Sequence, residues 1–203
     1  MACYISNRAY YVESCASAVE EFCASTANPQ RCYQLEAALF CLSAVAMDAS
    51  KRAVLLTATP ATQLAAANAC TSEYYDTAEM KANAIAEDAK RHDEQLVRCI
   101  RALGKVPSVA LSNPLALSQM CHFIGKYASW LSKTPSEGVL EASAALALTS
   151  FNRATTTFIE TSENFSEIVL SPFTEAATAL RNILNRSPQH VATSEALSAL
   201  KNG

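Results

Sequence analysis

The sequence predicts an all-α fold: an elongated up-and-down antiparallel bundle of about five main helices plus short C-terminal helices. Three observations predict it. The chain of 203 residues holds 38 alanines against 4 glycines, and alanine is the best helix former while glycine is among the worst. Six of the seven prolines directly follow Ser, Thr or Asn. Apolar residues recur at alternating spacings of four and three along the longest segments, as in bundles and coiled coils that pack at shallow angles.

The proline pairs set the element boundaries. They are Asn28-Pro29, Thr59-Pro60, Asn113-Pro114, Thr134-Pro135, Ser171-Pro172 and Ser187-Pro188. A Ser, Thr or Asn oxygen accepts from the first free amides of a helix. Proline fits the first helical position, where its missing N–H would have had no partner. Each pair therefore reads as one helix ending and the next beginning. Thr134-Pro135-Ser136-Glu137 adds a capping-box glutamate. The helices predicted are 4–27, 29–58, 60–104, 114–132, 135–169, 172–186 and 193–201, with Gly104 at the stop of the third. Residues 1–186 form the bundle and 187–203 a short helical appendage.

Two seams follow from the spacing. Leu35, Leu39, Leu42, Ala46, Ala49, Ala53 and Leu56 line the second helix. Ile85, Ala89, His92, Leu96, Cys99 and Leu103 line the third. Alanine at many seam positions brings the helix axes close.

Composition excludes several function classes. A net charge of −3 argues against a nucleic-acid partner, which selects a basic face. Spanning a membrane takes about 20 consecutive apolar residues, and the longest strongly apolar run, Ala37–Met47, falls short. The expectation is a soluble protein, not an integral membrane protein. No leader is legible in the first fifteen residues. The expected location is the cytoplasm, with the mitochondrial intermembrane space or secretion without a visible leader as alternatives. Four glycines cannot build a phosphate-cradling loop.

The eight cysteines are Cys3, Cys15, Cys23, Cys32, Cys41, Cys70, Cys99 and Cys121. Cys23 and Cys32 flank the turn of the first helical hairpin and are the candidate disulfide; Cys15 and Cys41 form a near-symmetric outer pair. Over residues 15–41 the arrangement resembles the twin-cysteine helical hairpins of small mitochondrial intermembrane-space proteins. Those hairpins place nine residues between the cysteines of each pair, whereas here seven and eight intervene. At the helical rotation per residue, Cys32 and Cys41 project about 180° apart and cannot both face one neighbouring helix. The chain is therefore not assigned to that family. Reduced, buried thiols packing as small hydrophobes are the other reading.

Candidate chemistry is sparse. His92 lies on a seam with Asp88 one turn before it, a weak pair of candidate metal ligands. Cys121 and His122 are adjacent, so on a helix they point about 100° apart and form no thiolate–imidazole pair. Arg91, Arg98 and Lys105 recur every seven residues, with Arg101 beside them, as a candidate interaction face. Tyr10-Tyr11 and Tyr74-Tyr75 each have to expose a ring or bury both against two neighbours. No cofactor is implied. The expected function is non-catalytic: a structural subunit, adaptor or effector acting through protein–protein interaction, with another protein or itself as partner. The alternatives are a carrier of an apolar ligand or lipid, and a metal-binding bundle.

Overall fold

The computed structural model describes residues 8–25, 31–48, 59, 61–62, 77–133, 138–160 and 167–186. Every regular element among them is helical, and antiparallel helix packing is present. The elements are α1 (Arg8–Ala24), α2 (Cys32–Ala44), α3 (Ala78–Leu103), α4 (Ser108–Leu111), α5 (Pro114–Leu131), α6 (Val139–Glu160) and α7 (Glu167–Arg186).

The proline pairs meet three fates. Asn113-Pro114 behaves as expected: Asn113 has extended backbone, its Oδ1 accepts from Leu115 N at 3.1 Å and Ala116 N at 3.0 Å, and Pro114 opens α5. Thr59 Oγ1 likewise accepts from Thr62 N at 3.4 Å. Ser171-Pro172 is a correction. The helix starts at Glu167, so Pro172 lies inside α7 rather than at its first position. A proline this early removes one intrahelical bond, and Pro172 is buried. The Ser171 hydroxyl is turned to the Ser118 hydroxyl at 2.8 Å instead of capping. Asn28-Pro29, Thr134-Pro135 with its capping box, and Ser187-Pro188 lie outside the described residues, as do Tyr74-Tyr75, Cys3, Cys70 and the 187–203 appendage.

Two further boundaries are corrected. The third helix does not run unbroken from 60 to 104. Thr77 is extended and its side chain accepts from Met80 N at 3.2 Å, so α3 has its own N-cap and begins at Ala78. The helix expected from Pro135 begins at Val139, behind Gly138 at φ 78°. The stop at Gly104 holds, though Gly104 stays right-handed and the end tightens through short backbone turns: Lys105 N to Ala102 O at 2.9 Å, then Val106 N to Leu103 O at 3.1 Å.

The seams are buried as their spacing requires. Leu35, Leu39, Leu42 and Ala46 face the core, and so do Ala89, His92, Leu96, Cys99 and Leu103; Ile85 is half-buried. Ala49, Ala53 and Leu56 lie outside the described residues. α1 packs on α2 and α3, α2 also on α5, and α5 most extensively on α7, with α6 against α3, α5 and α7. Tyr11 with Cys41 and Arg8 with Asp48 pair in opposite chain order, so α1 and α2 form an antiparallel hairpin. Between α5 and α7 the pairs ascend together: Ser118 with Ser171, His122 with Glu175, Gly125 with Ala179. These two helices therefore run parallel, in contact without being consecutive, which consecutive-neighbour reasoning does not supply.

Small residues set that approach. A Cβ added at Gly125 would sit 3.4 Å from the Ala179 Cα, and Asn182 Nδ2 donates to the Gly125 carbonyl at 3.3 Å. The core side of α5 carries the fully buried Phe123, Tyr127 and Trp130. Tyr127 stacks tilted on Phe123 at 4.8 Å and edge-on to Trp130 at 6.1 Å. Both polar tips are satisfied, as buried Tyr and Trp require: Tyr127 Oη donates to Leu42 O at 2.8 Å, and Trp130 Nε1 to Asp93 Oδ1 at 2.7 Å.

Candidate functional site

The expected site residues fall in three places and do not converge. His92 is buried on the inner face of α3, with Asp88 half-buried one turn before it. Among the described residues, no group of three or more His, Cys, Asp or Glu side chains is arranged to hold a metal ion. His122 and Cys121 diverge as their spacing predicts. His122 Nδ1 meets Glu175 Oε2 on α7 at 3.1 Å, while the Cys121 thiol is fully buried.

The basic residues of α3 remain on its surface, but they are not equivalent. Arg91, Arg101 and Lys105 are exposed. Arg98 is engaged within the chain: Nε donates to Glu20 Oε1 at 3.0 Å, a second guanidinium nitrogen to Glu20 Oε2, and a third to Gln95 Oε1 at 2.8 Å. This two-pronged ion pair ties α3 to α1, and Arg98 stays exposed beside Arg91, Arg101 and Lys105.

The cysteines of the first hairpin lie on α1 and α2. Cys23 and Cys32 are free and are not joined to each other. Their thiols have different neighbours. Cys23 on α1 is felt electrostatically by Cys99 of α3, whereas Cys32 is buried at the start of α2. Cys15 on α1 and Cys41 on α2 are electrostatic neighbours. Burial, then the neighbouring Cys41, pushes the Cys15 thiol up to about 12. Burial and then Glu20 push Cys23 up to about 12. Burial raises Cys32 and, more strongly, Cys99. These thiols stay protonated at neutral pH, the opposite of an activated nucleophile.

A surface feature escaped the sequence reading. α2 carries a second heptad row on its outer side: Tyr33, Ala37, Phe40 and Ala44, continued by Met47 in the helical turn that follows. The spacing is again four, three, four, three, and at helical rotation the row fits within an arc of about 80°. All five residues are exposed, Tyr33 by 64%, Phe40 by 63% and Met47 by 77%. The signal was in the sequence, since two interleaved rows share one helix. The leucine-rich row stood out, and mixed Tyr, Phe, Met and Ala did not. Of the tyrosine pair on α1, Tyr10 is exposed and Tyr11 reaches Cys41 O at 3.2 Å.

Compared with models of known families, with curated proteins and with solved structures, the chain matches none. Among the described residues, no helix is long and apolar enough to cross a membrane.

Proposed function

We propose that this chain is a non-catalytic helical-bundle protein that acts through protein contact, and that the outer face of α2 makes the contact by pairing with a second copy. The observation that supports this reading is the exposed row Tyr33, Ala37, Phe40, Ala44 and Met47. Large apolar side chains aligned on one exposed face lose free energy to water, and such patches mark association sites.

The alternation of size favours an antiparallel second copy. In an antiparallel pair, the two heptad positions of one helix face the other kind across the seam. Tyr33, Phe40 and Met47 occupy one position, Ala37 and Ala44 the other. Each large side chain of one copy then meets an alanine of its partner. A parallel pair would set large on large and alanine on alanine, which leaves gaps. The interface is isologous, so one twofold axis closes it.

Sedimentation equilibrium tests the reading. The wild type should show a concentration-dependent monomer–dimer equilibrium. Phe40→Glu should be monomeric with unchanged helical circular dichroism, because Phe40 is exposed and the core does not need it. Ala37→Leu should also weaken the dimer, by filling the space for the partner's aromatic ring. A wild type that stays monomeric at every concentration would overturn the reading.

A further inference from the structure

We propose that Met47 is an oxidation site that governs self-association: a peroxide oxidant converts its thioether to the sulfoxide, and the two copies part. The inference rests on the pairing of α2 outer faces proposed above. Met47 ends the exposed row on the outer side of α2 and is the most exposed large apolar side chain among the described residues. Of the other described methionines, Met120 is fully buried on α5, and Met80 is exposed on α3, off the row. A peroxide reaches a thioether only where solvent does, so Met47 reacts first and Met120 last.

Setting large side chains on alanines fixes where Met47 lands. In the antiparallel pair Phe40 lies over Ala44 of the second copy and Met47 over its Ala37. The Met47 sulfur then sits between Tyr33 and Phe40 of that copy, which flank Ala37 by one turn on either side. A thioether against aromatic rings is a favourable contact, and the twofold axis makes it twice. The sulfoxide is polar and disrupts such apolar seams. Its oxygen accepts hydrogen bonds from water in the free chain, and the seam offers none in return. Oxidation therefore favours the separated copies.

The reaction balances without any other group of the protein. The sulfur lone pair attacks one oxygen of hydrogen peroxide, the O–O bond breaks and an S–O bond forms. The leaving hydroxide takes the proton from the oxygen now on sulfur and departs as water. Sulfur is oxidised by two electrons and the peroxide is reduced by two. Only the free chain presents this sulfur to solvent, so the monomer is the form that reacts and pairing slows the step. Methionine sulfoxide reductases reverse it.

The test treats the full chain with hydrogen peroxide, then with dithiothreitol to return oxidised thiols, and maps sulfoxides by tandem mass spectrometry. Met47 should oxidise before Met80, and its rate, unlike that of Met80, should fall as protein concentration rises. In sedimentation equilibrium the oxidised wild type should have a dimer Kd raised at least about tenfold, from two lost sulfur–ring contacts. Met47→Leu, apolar and without sulfur, should dimerise before and after peroxide. Met47→Gln should weaken the dimer without any oxidant, and Met80→Leu should respond to peroxide as the wild type does. Circular dichroism, unchanged throughout, shows that the fold is retained. A dimer of unchanged affinity once Met47 is the sulfoxide overturns this inference and leaves the pairing standing, whereas an untreated wild type with no dimer at all overturns both. A peroxide-treated Met47→Leu that dissociates like the wild type also overturns it, because another group would then be responsible.

Discussion

The indole N–H of Trp130 donates to Asp93 Oδ1 at 2.7 Å, joining α5 to α3 at the edge of the aromatic core. Trp130 is the only tryptophan, and it is 1% exposed. Its emission therefore reports this junction directly. Trp130→Phe keeps an aromatic ring but deletes the donor and part of the volume. A hydrogen bond to a charged group contributes about 1.5–3 kcal/mol, and a smaller buried ring adds a packing loss. We expect Trp130→Phe to lower the urea midpoint clearly. Asp93→Asn, which keeps an oxygen acceptor, should cost less. Equal effects of the two, or none, would show that the bond does not secure the junction.

The close approach of α5 and α7 gives a graded prediction. A Cβ at Gly125 meets the Ala179 Cα at 3.4 Å, which is tight but tolerable. Alanine also brings a helix-propensity gain of about 1 kcal/mol over glycine. Gly125→Ala should therefore stay within about 1 kcal/mol of the wild type. Gly125→Leu has nowhere to put its branches and must separate the helices, at about 1–3 kcal/mol. Thermal unfolding of the two variants distinguishes this from a seam with slack, in which leucine would be as harmless as alanine.

Gly138 precedes α6 at φ 78°, a left-handed conformation, with nothing within 4 Å of where a Cβ would stand. The restriction is thus conformational and not steric crowding by neighbours. An L-residue there is disfavoured by about 1–2 kcal/mol. Gly138→Ala should lose roughly that amount in urea unfolding, and Gly138→Asn less, because asparagine tolerates the left-handed region. An alanine variant as stable as the wild type would mean that the turn accepts a right-handed start.

Particular residues show what was legible beforehand. The class followed from alanine content and from Leu35, Leu39 and Leu42, because burial obeys helical periodicity regardless of which helix lies opposite. Asn113-Pro114 was readable because its capping oxygen acts within three residues. Ser171-Pro172 has the same local form and yet sits inside α7, since the upstream residues 167–170 extend the helix and the Ser171 hydroxyl meets Ser118 across the α5–α7 seam. Long-range pairing decided that case, and a dipeptide carries no record of it. The same holds for Arg98, whose heptad spacing matched a surface stripe but whose partner Glu20 lies on α1. Cys15 with Cys41 was visible as symmetry about a turn; the packing of α1 on both α2 and α3, which sets what each thiol meets, was not.

Alkaline pH should weaken the fold through the buried thiols. Burial, opposed by the neighbouring Ser150 hydroxyl and reinforced by Glu175, pushes the Cys121 thiol up to about 11. The folded state then keeps a proton that the unfolded chain has already released above about pH 9. The resulting stability is complete below that value, declines as pH rises, and is gone once the folded thiol ionises near 11. Cys121→Ala removes this titration while leaving the lysines and tyrosines untouched. It should be less stable than the wild type at neutral pH, from the lost packing, and the gap between the two should narrow steadily between about pH 9 and about pH 11. Urea titrations at intervals across that range measure the gap. Curves that stay parallel would mean that Cys121 does not hold its proton through the alkaline transition.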